Sequence, residues 1–191
     1  MRRRRGEQLA AALLDAAWDE LVERGYAGFA LESVARRAGT STPVLYRRWP
    51  TKPRMIEAAI AHASAARAVE TPDTGTLRGD LIAMMRAAND SRVDLLAATT
   101  VLLGSYFDET GTNPAQLREQ MLRGRRSAAE TMLQRAVSRG EVSAEVVTPR
   151  LASLPFDLFR HEVLMTHQPV GEDVITEIVD EFFMPLVTAR R

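Results

Sequence analysis

The sequence predicts an all-α fold in two parts: an N-terminal three-helix unit containing a helix-turn-helix, then a larger C-terminal helical bundle. Three observations carry this expectation. Apolar residues recur at helical spacing along the chain, and no stretch shows the period-two alternation of a strand. Glycine and proline punctuate these runs at intervals that suit helix ends. The charge is unevenly divided: Lys and Arg number 11 against 6 Asp and Glu through Arg54, and 14 against 19 beyond it, in a chain of zero net charge. A basic front part on a neutral chain is the footprint of a nucleic-acid-facing segment.

The first helix is expected over residues 7–24, with Leu9, Leu13, Leu14, Ala17, Trp18, Leu21 and Val22 as its apolar stripe and Gly25 as its C-terminal stop. Tyr26 and Phe29 plug the following turn. A second helix spans 31–38, with Leu31, Val34, Ala35 and Ala38 inward, and Gly39 breaks it. A third runs from Thr42 to Trp49, and Thr51 caps a fourth that starts at Lys52 and extends to about Arg67, with Pro53 tolerated in its first turn. Beyond the loop Thr71-Pro72-Asp73-Thr74-Gly75, helices are expected over 76–90, 93–107, 114–139, 147–167 and 172–189, with a kink or interruption at Pro155.

The bulk composition narrows the function. The chain has 191 residues, 46% of them apolar, and no cysteine, so it has no disulfide framework, no thiol nucleophile and no cysteine-held zinc. No apolar run approaches the ~18 residues of a membrane span, and no signal peptide is visible, which is compatible with a cytoplasmic location. The three histidines are His62, His161 and His167. His161-Glu162 has the start of a zinc-protease motif, but the next histidine comes six residues on, about 240° around a helix, where one metal cannot take both. Nucleophile-elbow, phosphate-loop and dinucleotide patterns are absent. No enzyme activity, metal or cofactor is expected.

The densest signal is residues 31–54. A recognition helix must hold one face on a core and offer polar groups to base edges. Leu45 and Trp49 fall close together and anchor inward. Arg47 and Arg48 lie on other faces, and arginine's two-pronged donor matches guanine O6 and N7. Pro43 and Val44 can meet thymine methyl groups. Tyr46 and Lys52 can donate to phosphate oxygens. Arg36 and Arg37 read as a solvated helix face. Arg2–Arg5 form a flexible basic arm that can add phosphate or minor-groove contacts.

Residues 7–54 resemble the N-terminal domain of the TetR (tetracycline-repressor) family of bacterial transcriptional regulators. The resemblance rests on Gly25-Tyr26, Val34-Ala35-Arg36-Arg37-Ala38-Gly39, Ser41, Leu45-Tyr46, Trp49 and Pro50-Thr51-Lys52. It implies a homodimeric repressor of double-stranded operator DNA, relieved by a small-molecule effector. Carried over by position, Thr42, Pro43, Val44 and Arg47 face bases, Tyr46 and Lys52 hold phosphates, and Arg48 takes either role. Two residues depart from the pattern: Ala30 replaces the usual Ser/Thr cap of the second helix, and Thr40 replaces an aliphatic residue in the turn. On this basis residues 1–52 form the DNA-binding domain with its basic arm, and 53–191 the ligand-sensing and dimerisation domain.

In that second part Met84, Met85, Leu96, Thr99, Thr100, Leu103, Tyr106, Met121 and Met132 are the candidate lining of a mostly apolar pocket, the methionines adapting to shape and the hydroxyls supplying polar anchors. The last two helices carry more apolar positions than one inward stripe requires. Phe156, Phe159, Val163, Phe182, Phe183 and Leu186 are therefore the candidate two-fold interface with a second copy, unless they form the core of the single chain. The helix from Lys52 is the direct link through which a ligand could change the separation of two heads. The alternative reading is a dimeric ligand-binding or scaffold protein that does not bind DNA.

Overall fold

The structure is a computed structural model that describes residues 2–122 and 127–188, leaving aside the side chains of 2–5, 92–101, 118 and 120–122. In chain order the helices are α1 (Arg2–Gly28), α2 (Leu31–Arg37), α3 (Thr42–Tyr46), α4 (Lys52–Ala66), α5 (Leu77–Val101), α6 (Gly104–Thr110), α7 (Pro114–Leu122), α8 (Ala128–Ser138), α9 (Pro149–Thr166), α10 (Glu172–Glu177) and α11 (Met184–Thr188). A 3-10 turn over Ala144–Val146 precedes α9, and a π-helical stretch over Ile178–Phe183 joins α10 to α11. No strand occurs among the described residues. Packing divides the chain into two compact units, Met1–Ala68 with Ala98–Met121, and Val69–Ala97 with Leu122–Arg191.

In the first unit α4 packs along α1, α2 crosses α1, α3 follows α2, and α6 packs against α1. Leu13, Ala17, Leu21, Val34, Leu45, Met55, Ile56, Ala59 and Ile60 are fully buried. The compact unit thus extends past the functional boundary drawn after residue 52, because α4 buries its apolar stripe on α1. Gly25 breaks the α1 helix with φ 63°, ψ 178°, a left-handed φ that favours glycine. The backbone is helical from Arg2, so the basic arm starts as the first turns of α1.

The second unit has its own core. Leu77, Leu81 and Met85 of α5 pack with Met132, Leu133 and Ala136 of α8, Ala152, Phe159 and Val163 of α9, and Ile175, Val179, Phe183 and Val187 of the C-terminal segment. Polar side chains fix the start of α5. Leu77 N donates to Glu141 Oε2 at 2.7 Å, and the fully buried Asp80 accepts from Thr74 N at 2.6 Å and Thr74 Oγ1 at 2.8 Å. Arg78 grips Asp180 through Nε and Nη2 at 2.6 and 2.7 Å, and Arg86 pairs with Glu172. The Asn89 amide closes both hydrogen bonds with the Val170 backbone, at 2.8 and 3.0 Å.

Helix boundaries differ from expectation at several points, among them the end of α5 at Val101 inside the expected 93–107 helix. No break falls near 91–92: Ser91 Oγ donates back to Ala87 O at 2.7 Å within the helix instead of capping a new one. The expected helix over 114–139 is divided, and Ser127 opens α8 with a capping box, its hydroxyl and the Glu130 carboxylate each taking a backbone N–H. Helix α9 runs through Pro155, which is buried within it. The third helix ends at Tyr46, although Arg47 N still donates to Pro43 O at 3.3 Å and Trp49 N to Leu45 O at 2.9 Å.

Candidate nucleic-acid interface

The turn between α2 and α3 is made by backbone geometry. Gly39 sits at φ 65°, with its N–H donating to Arg36 O at 3.2 Å, and Thr40 N donates to Ala35 O at 2.9 Å. This closes α2 in the manner of a glycine C-cap. Neither Ala30 nor Ser41 makes a side-chain capping bond, so the cap missing from the sequence at Ala30 is missing in the structure. Thr51 does cap α4, accepting from Arg54 N at 3.4 Å.

Helix α2 is held on α1 by a charged cluster that sequence reasoning missed. Glu20 is 0% exposed and accepts from Ser33 Oγ at 2.9 Å. Arg24 Nε lies 3.3 Å from Glu20 Oε1, and Arg37 Nη2 lies 3.4 Å from Oε2. Arg37 also holds Glu23 with two bonds, at 2.9 and 2.7 Å. That guanidinium keeps the Glu23 carboxyl below the ordinary range. Arg37 is therefore a clamp between α1 and α2 rather than a free solvated charge. Glu20 was detectable in principle: it stands on the same stripe as Leu13, Ala17 and Leu21, where a charge needs partners.

None of the seven candidate DNA-contacting residues is buried. Pro43, Tyr46, Arg47 and Arg48 are exposed, and Thr42, Val44 and Lys52 are half-buried. Tyr46 is 42% exposed, so it is not a packing residue. Leu45 is fully buried and anchors α3, while Trp49, expected beside it in the core, is only half-buried. Arg48 Nη2 donates to Gly6 O at 3.1 Å, which ties it to α1. Arg47 makes no ion pair among the described residues. Lys52 Nζ stands 4.2 Å from the centroid of the Tyr26 ring. Beneath that ring, Tyr106 packs edge-on at 5.6 Å and donates its hydroxyl to Glu57 Oε1 at 3.0 Å. Burial raises the pKa of both tyrosine hydroxyls, with Glu109 adding to the effect at Tyr26 and Glu57 at Tyr106.

The candidate pocket residues separate. Leu103 and Tyr106 are buried in the first unit, and Met84, Met85 and Met132 in the core of the second. The side chains of Leu96, Thr99, Thr100 and Met121 lie outside the described residues. The interface candidates also divide. Phe159, Val163 and Phe183 are corrected to core of the single chain, with 3%, 0% and 0% exposure. Their side chains are enclosed by the neighbouring helices of their own unit. Phe182 and Leu186 are 51% and 50% exposed, and Phe156 is half-buried.

A helix-turn-helix with an anchored third helix and outward arginines, followed by a separate helical body, defines the class of DNA-binding regulators. Comparison with known proteins gives the family. Residues 13–59 match the model for bacterial regulatory proteins of the tetR family, and residues 71–182 the tetracyclin repressor-like C-terminal domain. A DNA-binding transcriptional repressor TetR of Mycobacteroides abscessus is 31% identical over 96% of this chain and 96% of its own. An HTH-type transcriptional regulator of Mycobacterium tuberculosis is 30% identical over 88% of this chain and 82% of its own. Among solved structures, a TetR family transcription regulator matches with a TM-score of 0.64 at 26% identity, covering 92% of this chain and 97% of that one. The regulator FadR of Bacillus subtilis, in complex with stearoyl-CoA, shares the fold with a TM-score of 0.69 at 16% identity, over 94% and 98% of the two chains. The chain belongs to the TetR family and is a DNA-binding transcriptional regulator.

Proposed function

We propose that this regulator is a repressor that binds a palindromic operator as a homodimer and is released by a small, largely apolar effector. The observation that carries the DNA-reading part is the contrast around α3: Leu45 is fully buried, while Arg47 faces outward and Tyr46 is 42% exposed beside it. Thr42, Pro43, Val44 and Arg47 read base edges, Tyr46 and Lys52 hold phosphates, and Arg48 takes either role within reach of its tie to α1. Phe156, Phe182 and Leu186 meet the same residues of a second copy, and the two heads of such a dimer read half-sites about 34 Å apart on successive turns of the duplex.

Release runs through α4. The effector binds among the apolar side chains of the segment after residue 76, and within the first unit the Tyr106–Glu57 hydrogen bond at 3.0 Å couples α6 to α4. Such coupling requires the effector to bind the DNA-free state more tightly than the DNA-bound state.

The test is selection of duplexes from a random pool by the purified protein, followed by anisotropy and sedimentation on the enriched sequence. An inverted repeat that binds two subunits supports the reading. Enrichment of no sequence, with weak binding to every duplex at low salt, overturns it.

A further inference from the structure

The geometry points to Tyr26 as a positioning residue for DNA binding: its ring face holds the Lys52 ammonium at the start of α4, ready for a backbone phosphate. The inference rests on the reading of Lys52 as a phosphate ligand and adds the side chain that prepares it.

Lys52 is the first residue of α4, immediately after the Thr51 cap; Pro53 has no N–H and the Arg54 N–H is taken by Thr51, so the Lys52 ammonium is the main donor this helix start offers an anion. A lysine side chain in water has many rotamers, and fixing it against a phosphate costs conformational entropy at the moment of binding. Here the side chain is already restrained, with Nζ 4.2 Å from the Tyr26 ring centroid. A ring face attracts the ammonium without occupying it as a carboxylate would, so its three N–H donors stay available to phosphate oxygens.

The platform is itself fixed. Tyr26 is buried, with 3% exposure, and follows Gly25, whose left-handed φ turns the chain into this position. Its backbone N–H donates to Leu102 O at 3.1 Å, and the Tyr106 ring meets it edge-on at 5.6 Å with an interplanar angle of 74°. Tyr106 in turn is held by Glu57 of α4 and packs on Phe107 at 5.3 Å. The Tyr26 hydroxyl is buried with no partner in hydrogen-bond geometry among the described residues, the nearby Glu109 carboxylate only raising its pKa, so what Tyr26 supplies at this place is its ring. The segment at Leu102–Phe107 therefore reaches the phosphate-holding lysine through two aromatic rings, and displacement of α6 would tilt the surface on which Lys52 rests.

The experiment uses the full-length protein and a labelled duplex enriched by that protein from a random pool. Tyr26→Phe, which keeps the ring and removes only the unbonded hydroxyl, is the reference. A fluorinated phenylalanine at position 26 conserves shape but weakens the negative ring face. It should lower DNA affinity by roughly two- to five-fold per head relative to Tyr26→Phe. In a Lys52→Ala background the same ring exchange should have no effect, because the cation is gone. Thermal denaturation confirms that each variant is folded, and the fluorinated ring avoids the cavity that Tyr26→Leu would leave. Equal loss with and without Lys52 would overturn the inference and make Tyr26 a packing residue. Tighter binding with the fluorinated ring would overturn it in the other direction, showing that the ring withholds the lysine. Lys52→Ala alone should reduce the salt dependence by about one counterion per head. An unchanged slope and affinity there would instead remove the phosphate reading of Lys52, and this inference with it.

Discussion

In the first compact unit a cluster of ion pairs holds the joint of α1 and α2, where Arg37 pairs with Glu23 and reaches the buried Glu20, while Arg47 at the end of α3 is left facing outward. In the second unit the ion pairs Arg78–Asp180 and Arg86–Glu172 tie α5 to the C-terminal segment, across a core of Leu, Met, Val and Phe. The same residue types thus serve opposite ends. A guanidinium that has found a carboxylate fixes the fold, and one that has none within the chain remains available to a partner. The first unit separates the two roles within a dozen residues, from Arg37 to Arg47. The helix pattern alone does not say which arginine does which.

This contrast can be broken at several points. The largest effect is expected from Phe183→Ala. Phe183 is fully enclosed in the second core, and losing such a ring costs about 3–5 kcal/mol. Thermal or denaturant unfolding measures it, and a cost under about 1 kcal/mol would mean that the ring packs elsewhere in solution. Next comes Glu20→Gln in the first unit. It leaves Ser33, Arg24 and Arg37 without their shared carboxylate and should cost about 1–3 kcal/mol in unfolding free energy. If instead Glu20→Gln were neutral, the clamp would be a surface pair of the ordinary, weak kind.

The pH response comes third. Arg78 lowers the pKa of the Asp180 carboxyl, and Arg86 that of Glu172. A carboxyl lowered in the folded state contributes stability above its ordinary value and loses it as the pH falls through the lowered one. Melting temperature should therefore decline as the pH falls below about 4.5, and Arg78→Gln should flatten that decline. An identical pH profile for the variant would show that the pair makes no contribution. The smallest effect on folding is expected from Phe182→Ala: the side chain is 51% exposed, and an exposed apolar truncation typically changes stability by less than about 0.5 kcal/mol. Its effect belongs in sedimentation, as a shift toward monomer. No change in assembly would remove Phe182 from the proposed interface.

How much of this was legible in the sequence differs between the two regions. In the head the turns and caps were legible, because Gly25, Gly39 and Thr51 mark local backbone events that sequence chemistry encodes directly, whereas the Glu20 cluster and the half-burial of Trp49 were not. The body was harder. Ser91 followed by Arg92 has no glycine or proline, and the helix simply continues through it. The S-x-x-E pattern of Ser127 and Glu130 was a readable start signal for α8. Apolar spacing on the last helices identified surfaces to be buried but could not distinguish the chain's own core from a second copy. For Phe183 the answer is its own core, and its neighbour Phe182 faces outward, on a π-helical stretch that no propensity foretells. Contacts distant in sequence, such as Lys52 on Tyr26 and Tyr106 on Glu57, leave no periodic trace at all.

The most direct measurement of the central claim compares Arg47→Ala with wild type on the enriched duplex and on a panel with each base pair changed in turn. If α3 reads DNA through its outward arginine, the variant loses about 1–3 kcal/mol of binding and no longer distinguishes bases at one position of each half-site. Unchanged affinity and unchanged base preference would contradict the assignment of Arg47 as the reading residue and, with it, the division between clamping and reading arginines.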